Sequence, residues 1–511
     1  MACVKDGDTV TTSGLGGTVF PDSLALALEN RFLETAGPRN LTFFYAAGQG
    51  DGEARGVNYF AHEGLVGRVI AGHWGMAPKL QALAFEEKIE AYNLPQGVIC
   101  HLFRDIAAGR PGVISKIGLG TFVDPAFGGG KINKITTKDL VEHLTLHGAE
   151  YLFYKAFPIH VALLRGTTAD ADGNITMERE GLILEAQDQA MAAHNSGGKV
   201  IVQVERIAER GTLDPRKVII PGILVDYVVV VERPELHMQT YQEQYNPAYS
   251  CEIRVPLNSI EPIGFDERKL IARRAAMELK PNFNVNLGFG MPEGIASVVV
   301  EEGVSEYMVL STEPGAIGGV PARNLSFGCA SNLIAMISQP AQFDFYDGGG
   351  LDITYLGLAQ ADRQGNLNVS KFGPRLSGAG GFINISQSTR TVVFLGTFTA
   401  GGLKIALEGG ALKILKEGRS KKFVNEVEHR TFSGPVAFSQ GQRVLYITER
   451  CVFQLVKDGL ELIEIAPGID LDRHILAQMD FVPKLAANIK PMHPAIFLPG
   501  PMNLAAMLPS R

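Results

Sequence analysis

The chain alternates short apolar runs with longer segments of helical periodicity. The runs are apolar on both faces and rich in β-branched residues, as expected of strands buried inside a parallel sheet. We predict strands at Leu41–Tyr45, Val161–Leu164, Val200–Val204, Tyr227–Val231, Met308–Leu310, Ile353–Leu356 and Val392–Leu395. We predict helices at Ser23–Thr35, Leu80–Tyr92, Lys138–Leu146 and Asp266–Leu279. The alternation indicates the α/β class, with a largely parallel sheet in each domain.

The alternation breaks once, in a polar segment with three prolines between residues 233 and 258. A chain of 511 residues is long enough for two large domains. We therefore predict an N-terminal domain over residues 1–232, a linker over 233–265 and a C-terminal domain over 266–511.

Two short motifs occur in the same order in both halves of the chain. Gly-Leu-Gly at 14–16 resembles Gly-Phe-Gly at 288–290, and ADADGNI at 169–175 resembles ADRQGNL at 361–367. Two matches in one order are harder to obtain by chance than one. The repeat predicts two similar open α/β domains, packed face to face with a site between them.

The composition of the chain excludes some classes of protein and of partner. Glycine is in excess, with 58 residues against about 36 expected at a usage of roughly 7%. Its clusters have no collagen period, and they indicate tight turns and close backbone approaches in a globular protein. A net charge of -7 without a basic stripe argues against nucleic acid as a partner.

Cysteine usage and hydropathy indicate a cytoplasmic protein. Five widely spaced cysteines without a CxxC pair suit a reducing compartment. There is no run of about 18 uncharged apolar residues to span a membrane. The first residues, MACVKDGDTV, have the features of neither a signal peptide nor a transit peptide.

Several motifs were tested and set aside. No GxG sequence is completed to GxGxxG, and the Gly-Gly-Gly-Lys at 128–131 lacks the P-loop spacing. Asp139, His143 and His147 would lie on one face of a predicted helix, where a solvated polar row is favoured over a metal site. We expect no metal. The basic stretch 416–422 is expected to form an exposed hairpin, with contact to a ligand phosphate as the weaker alternative.

One motif combines a strand with a carboxylate. The run MVLSTEPGAIGG at 308–319 carries an apolar strand directly into Glu313, followed by Pro314 and Gly315. The carboxyl end of a buried strand is the usual ligand position in open α/β sheets. Aligning the halves on Gly48 and Gly315 places Ala46 opposite Glu313, so only one half carries the acid. From these residues alone, a catalytic group and a turn carboxylate that caps a helix are equally supported.

Six further segments are distinctive: GLGTFVDP (118–125), VIVQVE (200–205), FDFYDGGGLD (343–352), GGFI (380–383), GTFTAGG (396–402) and EIAPG (464–468). Through these segments, residues 6 to about 480 resemble the family I CoA-transferases, specifically the single-chain acetate or propionate CoA-transferases. Succinyl-CoA:3-oxoacid CoA-transferases are similar at a greater distance. The resemblance implies two α/β domains of the ribose-phosphate-isomerase-like type, assembled as a homodimer or homotetramer.

The resemblance implies that Glu313 is the nucleophile that attacks an acyl-CoA thioester. An acyl-glutamyl anhydride and then a glutamyl-CoA thioester would form, with coenzyme A as a substrate and no permanently bound cofactor. This chemistry needs an ionised Glu313. We therefore expect nearby backbone donors to keep its pKa from rising far above the ordinary value of about 4.3.

The resemblance also assigns binding residues. Gly380 and Gly381 would supply oxyanion donors, and Gln96 of Pro-Gln-Gly would line the carboxylate pocket. Without the resemblance, an ordinary turn is the favoured interpretation of each of these motifs. A last group would lie beside coenzyme A: Asn286, Gly288, Phe289, Gly290, Met291 and Gly378.

The sequence thus predicts an enzyme that moves coenzyme A between a short-chain acyl-CoA and acetate, propionate or a similar acid. The succinyl-type relatives carry Ser-Glu-Asn-Gly where this chain has Thr-Glu-Pro-Gly at 312–315, and within the resemblance this difference implies small monocarboxylates in preference to 3-oxoacids. The alternatives are a short-chain acyl-CoA hydrolase on the same scaffold and a non-enzymatic sensor of CoA or sugar phosphate. We also expect the glycine clusters at 14–17, 288–290, 315–319, 348–350 and 378–381 to wall a CoA tunnel.

Overall fold

The computed structural model describes residues 1–256 and 263–509. The chain divides into two compact units, each built from separate stretches of sequence. The first unit consists of Met1–Val255, Thr312–Asp344 and Lys371–Asn384. The second unit consists of Pro256–Ser311, Phe345–Ser370 and Ile385–Arg511.

This division differs from the linear one predicted from the sequence. Thr312–Asp344, which carries Glu313, belongs to the first unit and not to the C-terminal stretch. Backbone bonding shows why, because the Gln339 N–H donates to the Leu184 carbonyl at 3.0 Å. The boundary over 233–265, as a division between independently folding domains, stays a prediction.

The predicted linker packs against the first unit over residues 233–255. The Tyr241 hydroxyl is buried and donates to Asp22 Oδ1 at 2.9 Å. Gln203 Nε2 donates to the Leu236 carbonyl at 3.1 Å. The polar side chains that suggested a linker therefore have partners within the fold. Residues 257–262 of the predicted linker lie outside the described residues.

The first unit is built on a seven-stranded parallel sheet within the described chain. Its central strands are almost entirely buried, which explains their apolar, β-branched sequences. The strand order is Tyr227–Val230, Lys199–Val204, Val161–Arg165, Thr9–Thr12, Leu41–Tyr45, Val66–Ala71, Glu90–Asn93. The helices of this unit include Asp22–Thr35, Pro78–Phe85, Gln96–Ala107 and Ala186–Asn195, and two more begin in it, Gln339–Asp347 and Phe382–Ser388.

Smaller sheets complete the first unit. An antiparallel sheet has the order Gly112–Ser115, Ala149–Lys155, Val141–Leu146. A second has the order Arg206–Ala208, Thr168–Asp170, Ile175–Thr176, Val218–Ile220. Short two-stranded pairs are Ala316–Ile317 with Ala335–Met336, Val320–Pro321 with Ala330–Ser331, and Lys371–Phe372 with Arg375–Leu376.

Eight consecutive strands of one sheet lie in the second unit. Their order is Met308–Ser311, Phe283–Leu287, Ile353–Gly357, Thr391–Leu395, Arg443–Ile447, Cys451–Val456, Gly459–Ile465, Lys484–Pro491. The first five strands are parallel, and the next two pair antiparallel. The remaining strands are Gln360–Asp362, Leu367–Asn368, Phe423–Val424, Thr399–Ala400, Ser420–Lys421, Lys404–Glu408 and Ala411–Lys416. The helices are Glu267–Ala276, Gly294–Glu301, Gly434–Ser439, Leu471–His474 and Leu504–Met507.

The two units repeat one topology. Five strands occur in the same spatial order in each sheet, starting from Leu41–Tyr45 in one and Met308–Ser311 in the other. The glycine motifs at 14–16 and 288–290 both follow the second strand of that order. The segments ADADGNI (169–175) and ADRQGNL (361–367) form the same hydrogen-bonded turn. Asp170 Oδ1 accepts the N–H of Asp172 and Asn174, while Asp362 Oδ1 accepts those of Gln364 and Asn366 at the equivalent positions. The prediction of two similar α/β domains is confirmed.

Two predicted helices were wrong in part or in full. The helix predicted to end at Tyr92 ends at Phe85, and a strand follows at Glu90–Asn93. Residues predicted as a helix over 138–146 form the strand Val141–Leu146, joined by a tight turn to Ala149–Lys155. The polar row of VEHLTL therefore reflects a strand with an exposed face, not a helix face.

Because residues 141–146 form a strand, Asp139, His143 and His147 do not share a helix face, which was the geometry considered for a metal site. His143 lies on the strand with Nε2 2.9 Å from Asp124 Oδ1, and Asp139 pairs with Lys131 at 2.5 Å. His147 lies in the turn with a positive φ of 50°. Across residues 1–256 and 263–509, no group of three or more His, Cys, Asp or Glu side chains is arranged to hold a metal ion. Over the same residues, none of the helices is long and apolar enough to cross a membrane.

The basic stretch 416–422 is only partly the exposed hairpin that was predicted. Lys416 ends the hairpin strand, and Ser420–Lys421 pairs with Thr399–Ala400. Lys422 instead points inward, where Nζ donates to the Leu358 carbonyl at 3.1 Å. Burial lowers the pKa of Lys422 to about 8.

Candidate active site

Glu313 lies in a tight turn directly after the strand Met308–Ser311. The Gly315 N–H donates to the Thr312 carbonyl at 3.1 Å, and the Thr312 N–H donates to the Ala316 carbonyl at 2.9 Å. The turn holds the glutamate at the carboxyl end of a parallel strand, as the sequence predicted. Its side chain is only partly exposed.

Two N–H donors from distant parts of the chain meet the Glu313 carboxylate. Gln96 Nε2 donates to Glu313 Oε1 at 3.2 Å. The backbone N–H of Gly381 donates to the same carboxylate. Gln96 is the first residue of the helix Gln96–Ala107 and is 1% exposed, so its amide is fixed by packing. The structure thus brings together three of the predicted site residues, all within the first unit.

Position 381 requires glycine. A Cβ atom added there would collide with Glu313 Oε2, and it would lie 3.2 Å from Cζ of Phe343. Any side chain would therefore push the glutamate away from the backbone donor. The close approach of Glu313 explains the glycine at 381, and a positive φ of 55° favours the glycine at 380.

The loop that carries Gly381 is fixed by hydrogen bonds to two strand ends of the first unit. The Gly380 N–H donates to the Gly72 carbonyl at 2.7 Å, and the Gly380 carbonyl accepts the Gln96 N–H at 3.0 Å. The Ala379 N–H donates to Asn93 Oδ1 at 2.9 Å. Gly380 therefore positions both donors of Glu313, since it binds the Gln96 backbone and precedes Gly381.

Asn93 and His73 were not identified from the sequence. Asn93 is fully buried and bonds the Ala71 and Gly72 carbonyls as well as the Ala379 N–H. Its signal in the sequence was a polar residue at the end of the strand before Pro-Gln-Gly. His73 forms an isolated β-bridge with Gly378. The contact of Gly378 with coenzyme A stays a prediction.

Desolvation dominates the electrostatics of Glu313. Burial raises its pKa to about 7, although the hydrogen bonds from Gln96 and Gly381 act in the opposite direction. The expectation that backbone donors would keep this pKa near its ordinary value was therefore wrong. Burial also lowers the pKa of His73 to about 4, which leaves its imidazole neutral at neutral pH. A carboxyl with a pKa near 7 is half ionised under physiological conditions.

The residues predicted to lie beside coenzyme A, other than Gly378, belong to the second unit. The Asn286 side chain is buried and committed within that unit, because Nδ2 donates to the Ser311 carbonyl at 3.3 Å and Oδ1 accepts from Thr354 Oγ1 at 3.2 Å. Gly288 donates its N–H to the Tyr355 carbonyl at 2.8 Å. The Asn286 side chain thus has partners within this unit, and its contact with coenzyme A stays a prediction.

The rest of that loop is more open. Phe289 is 63% exposed, an unusual position for a large aromatic side chain. Gly290 has a φ of +85° and donates its N–H to Glu293 Oε1 at 3.1 Å, and Met291 begins a short 3₁₀ turn that ends at Glu293. The contact of this loop with coenzyme A stays a prediction.

Comparison with known proteins agrees with this site. The family model "Coenzyme A transferase" matches residues 1–231. A caffeate CoA-transferase of Acetobacterium woodii is 51% identical, over 97% of this chain and 95% of that protein. The acetate CoA-transferase YdiF of Escherichia coli K12 is 42% identical, over 98% of this chain and 94% of that protein. The chain belongs to the coenzyme A transferase family.

Solved structures extend the comparison to the fold. The apoenzyme of the acyl-CoA transferase YdiF from Escherichia coli O157:H7 superposes with a TM-score of 0.93 at 42% identity, over 98% of this chain and 95% of that one. That protein has also been crystallised as a thioester complex with CoA. The predicted family and the predicted α/β fold of this CoA-transferase are both confirmed.

The more distant similarity predicted from the sequence is also confirmed. A succinyl-CoA:3-ketoacid coenzyme A transferase of the mouse is 26% identical over 76% of this chain and 74% of that protein. Like its family, this CoA-transferase moves coenzyme A between an acyl-CoA and a carboxylate.

Proposed function

We propose that Glu313 is the nucleophile of a ping-pong transfer of coenzyme A between short-chain acyl-CoA and a small carboxylate. The observation that supports this role is the pair of donors on its carboxylate, Gln96 Nε2 and the Gly381 N–H. Both come from fixed elements of the first unit, so they need not reorganise during the reaction.

The first half-reaction balances without an added proton. A Glu313 oxygen attacks the thioester carbonyl carbon, and the carbon–sulfur bond breaks. CoA leaves as the thiolate, and Glu313 then carries a mixed anhydride with the acyl group. The thiolate then attacks Cδ of Glu313. The bond from Cδ to the bridging oxygen breaks, the donor acid leaves as a carboxylate, and a glutamyl-CoA thioester remains. The acceptor carboxylate repeats these steps in reverse, and Glu313 is regenerated.

The two donors suit the steps that occur at Cδ. When a thiolate or a carboxylate adds to this carbon, one glutamyl oxygen becomes an oxyanion. Gln96 and Gly381 already donate hydrogen bonds to the Glu313 carboxylate in the resting enzyme. These hydrogen bonds become stronger as negative charge builds up on a glutamyl oxygen. We assign Gly380 the role of holding both donors, and we assign Gly378 and the loop from Asn286 to Met291 to the binding of coenzyme A.

The acyl group is proposed to be small. Pro314 after the glutamate, and the likeness to a protein named for acetate, support acetate or propionate. The likeness to a protein named for caffeate supports a larger aromatic acid as a second candidate. Initial rates with acetate, propionate and caffeate as acceptors distinguish the two.

Initial-rate kinetics test the proposal. Varying acyl-CoA at several fixed acceptor concentrations should give parallel double-reciprocal lines, since the donor acid leaves before the acceptor binds. Glu313→Gln should abolish transfer. Intersecting lines would contradict the ping-pong scheme. Hydrolysis of acyl-CoA at the same rate without any acceptor would instead support the acyl-CoA hydrolase.

A homodimer or homotetramer and a cytoplasmic location are proposed on the family resemblance and on cysteine usage. Sedimentation of the purified chain measures the first directly.

A further inference from the structure

One histidine, His73, lies beside the loop that carries Gly381, and the proposed mechanism does not use it. Its backbone forms a β-bridge with Gly378 of that loop. The N–H of the next residue, Trp74, donates to the Ser377 carbonyl at 2.8 Å. The backbone on both sides of this bridge is therefore paired with a loop that supplies one of the donors to the nucleophile.

The His73 side chain lies on the same side of Gly380 as the side chain of Gln96. A Cβ atom added to Gly380 would lie 3.6 Å from His73 Cδ2 and 3.5 Å from Gln96 Oε1. The other polar atom of that amide, Gln96 Nε2, donates to Glu313 Oε1. The Glu313 carboxylate lies against the next residue of the loop, Gly381. The imidazole and the nucleophile therefore contact neighbouring residues of one loop.

Three glycines surround the imidazole ring and fix its orientation. A Cβ atom added to Gly75 would lie 2.8 Å from Cε1 of His73 and 3.3 Å from Nε2. One added to Gly48 would collide with Nδ1, and Gly380 lies at Cδ2. Because backbone atoms approach three parts of the ring, little room is left for it to rotate. A ring held in this way is a preorganised group.

The two ring nitrogens of His73 have different surroundings. Neither has a hydrogen-bond partner within residues 1–256 and 263–509, but only Nδ1 is buried. Burial lowers the pKa of His73 to about 4, so the ring is neutral at pH 7 and carries a single N–H. A buried N–H without an acceptor is less tolerable than a buried lone pair, which places the proton on Nε2. His73 therefore presents one accessible donor.

We propose that the Nε2–H of His73 donates a hydrogen bond to the oxygen of the acyl group while Glu313 attacks the acyl carbon. The proposal rests on Glu313 being the nucleophile. Attack at the thioester carbonyl turns the acyl oxygen into an oxyanion, whereas Gln96 and Gly381 already bind the glutamyl carboxylate. His73 supplies the donor for the oxyanion on the acyl group.

A neutral imidazole suits this role better than a charged one. The transfer needs no proton from the enzyme, because CoA leaves as a thiolate and the acids leave as carboxylates. An imidazolium beside Glu313 would pair with the carboxylate and make it a weaker nucleophile. A neutral ring still polarises a carbonyl through its N–H. The desolvation of His73 thus preserves both the donor and the reactivity of Glu313.

The test measures how fast the full-length enzyme forms glutamyl-CoA from acetyl-CoA in a single turnover. His73→Phe keeps a ring without a donor and should slow this step about 100-fold, the usual effect of losing an oxyanion donor. His73→Gln, whose amide nitrogen reaches about as far as Nε2, should retain most of the rate. His73→Asn, whose amide nitrogen falls near Nδ1, should be as slow as His73→Phe. A rate close to wild type in His73→Phe would overturn the proposal, and so would a faster reaction in His73→Asn than in His73→Gln.

A second reaction separates the oxyanion on the acyl group from the one on the glutamyl group. Hydroxylamine attacks Cδ of glutamyl-CoA and displaces CoA, with no acyl carbonyl involved. Once loaded with CoA, His73→Phe should react with hydroxylamine at the wild-type rate, whereas Gln96→Leu should react more slowly. An equal loss of rate in both reactions of His73→Phe would show that the substitution displaces the loop, which would overturn the role as a donor.

His62→Phe is the matched control. His62 is a partly exposed histidine of the first unit whose Nε2 lies 2.7 Å from Glu29 Oε1, so its substitution should leave the formation of glutamyl-CoA unchanged. A loss as large as that in His73→Phe would contradict the assignment. If the His73 variants do not fold, Gly75→Ala tests the same donor, since its Cβ would displace the edge of the ring that carries Nε2. It should slow the formation of glutamyl-CoA, and an unchanged rate would overturn the proposal.

Failure of this proposal and failure of the proposed function give different results. Absence of glutamyl-CoA in the wild type removes the proposed function itself. Formation of glutamyl-CoA at equal rates in the wild type and in His73→Phe removes only the role of His73.

Discussion

At the scale of single residues, Glu313 combines two opposing demands. In the proposed mechanism it must be ionised to attack a thioester, yet burial raises its pKa to about 7. Ordinary glutamates titrate near 4.3. The cost of ionisation in the resting enzyme makes the carboxylate a better nucleophile than a solvated one, since its basicity rises with its pKa.

The pH dependence of turnover follows from this pKa. We expect kcat/KM to rise about tenfold per pH unit below pH 7 and to level off above it, because only the ionised Glu313 attacks. Gln96→Leu removes a donor that favours the anion, so its midpoint should lie at higher pH. A wild-type midpoint near 4.5 would show that desolvation does not control Glu313.

Gly381 offers a second test at this scale. Gly381→Ala places a methyl group against Glu313 Oε2 and disturbs a backbone donor. We expect kcat to fall by about 100-fold or more, the usual effect of losing an oxyanion donor. Gly264→Ala is the control, because a Cβ there meets only Asp266 Oδ2, at 3.9 Å. Near-normal kcat in Gly381→Ala would contradict the assignment of this donor.

At the scale of elements, the site is assembled from strand ends and the loops between them. Asn93 ends the strand Glu90–Asn93 and joins it to the strand Val66–Ala71 and to the loop before Gly381. The Asn93 side chain thus fixes the spacing between three segments, and a substitution at Asn93 tests this role.

We expect Asn93→Ala to lower the free energy of unfolding by about 2–4 kcal/mol, since it leaves the buried Ala379 N–H without an acceptor. It should also lower kcat by displacing Gly381. Asn195→Ala, which removes a single bond from an exposed side chain to the Ala107 carbonyl, should cost less than about 1 kcal/mol. Urea denaturation of the two variants provides the comparison. Equal losses would contradict the role of Asn93.

The strands were the most predictable elements, because runs such as Leu41–Tyr45 and Thr391–Leu395 are buried on both faces and leave little choice of residue. The segment VEHLTL was misassigned because a polar row at 143 and 147 fits a helix as well as an exposed strand and turn. The sequence pattern over a few residues does not determine whether a helix or a strand packs better at this place in the fold.

At the scale of the whole molecule, the sequence indicated the repeat and the position of Glu313 after a strand, but it did not indicate how the units divide. Glu313 and Gln96 are 217 positions apart and belong to one unit.

The raised pKa of Glu313 affects global stability. Between about pH 4.5 and 7 the unfolded chain has released this proton while the folded chain retains it, so the contribution of the group to stability is lost as pH rises through 7. Glu313→Gln should therefore be more stable than wild type at pH 8, by on the order of 1–3 kcal/mol, and nearly equal at pH 4.5. A difference independent of pH in thermal denaturation would refute the raised pKa.

The most direct test of the account is to trap the covalent intermediate on Glu313. The enzyme is incubated with acetyl-CoA, reduced with borohydride and digested for mass spectrometry. Glutamyl-CoA is a thioester, so reduction should convert the side chain of residue 313 to a primary alcohol, and Glu313→Gln should show no such change. An unmodified Glu313 in an enzyme that still turns over would contradict the account.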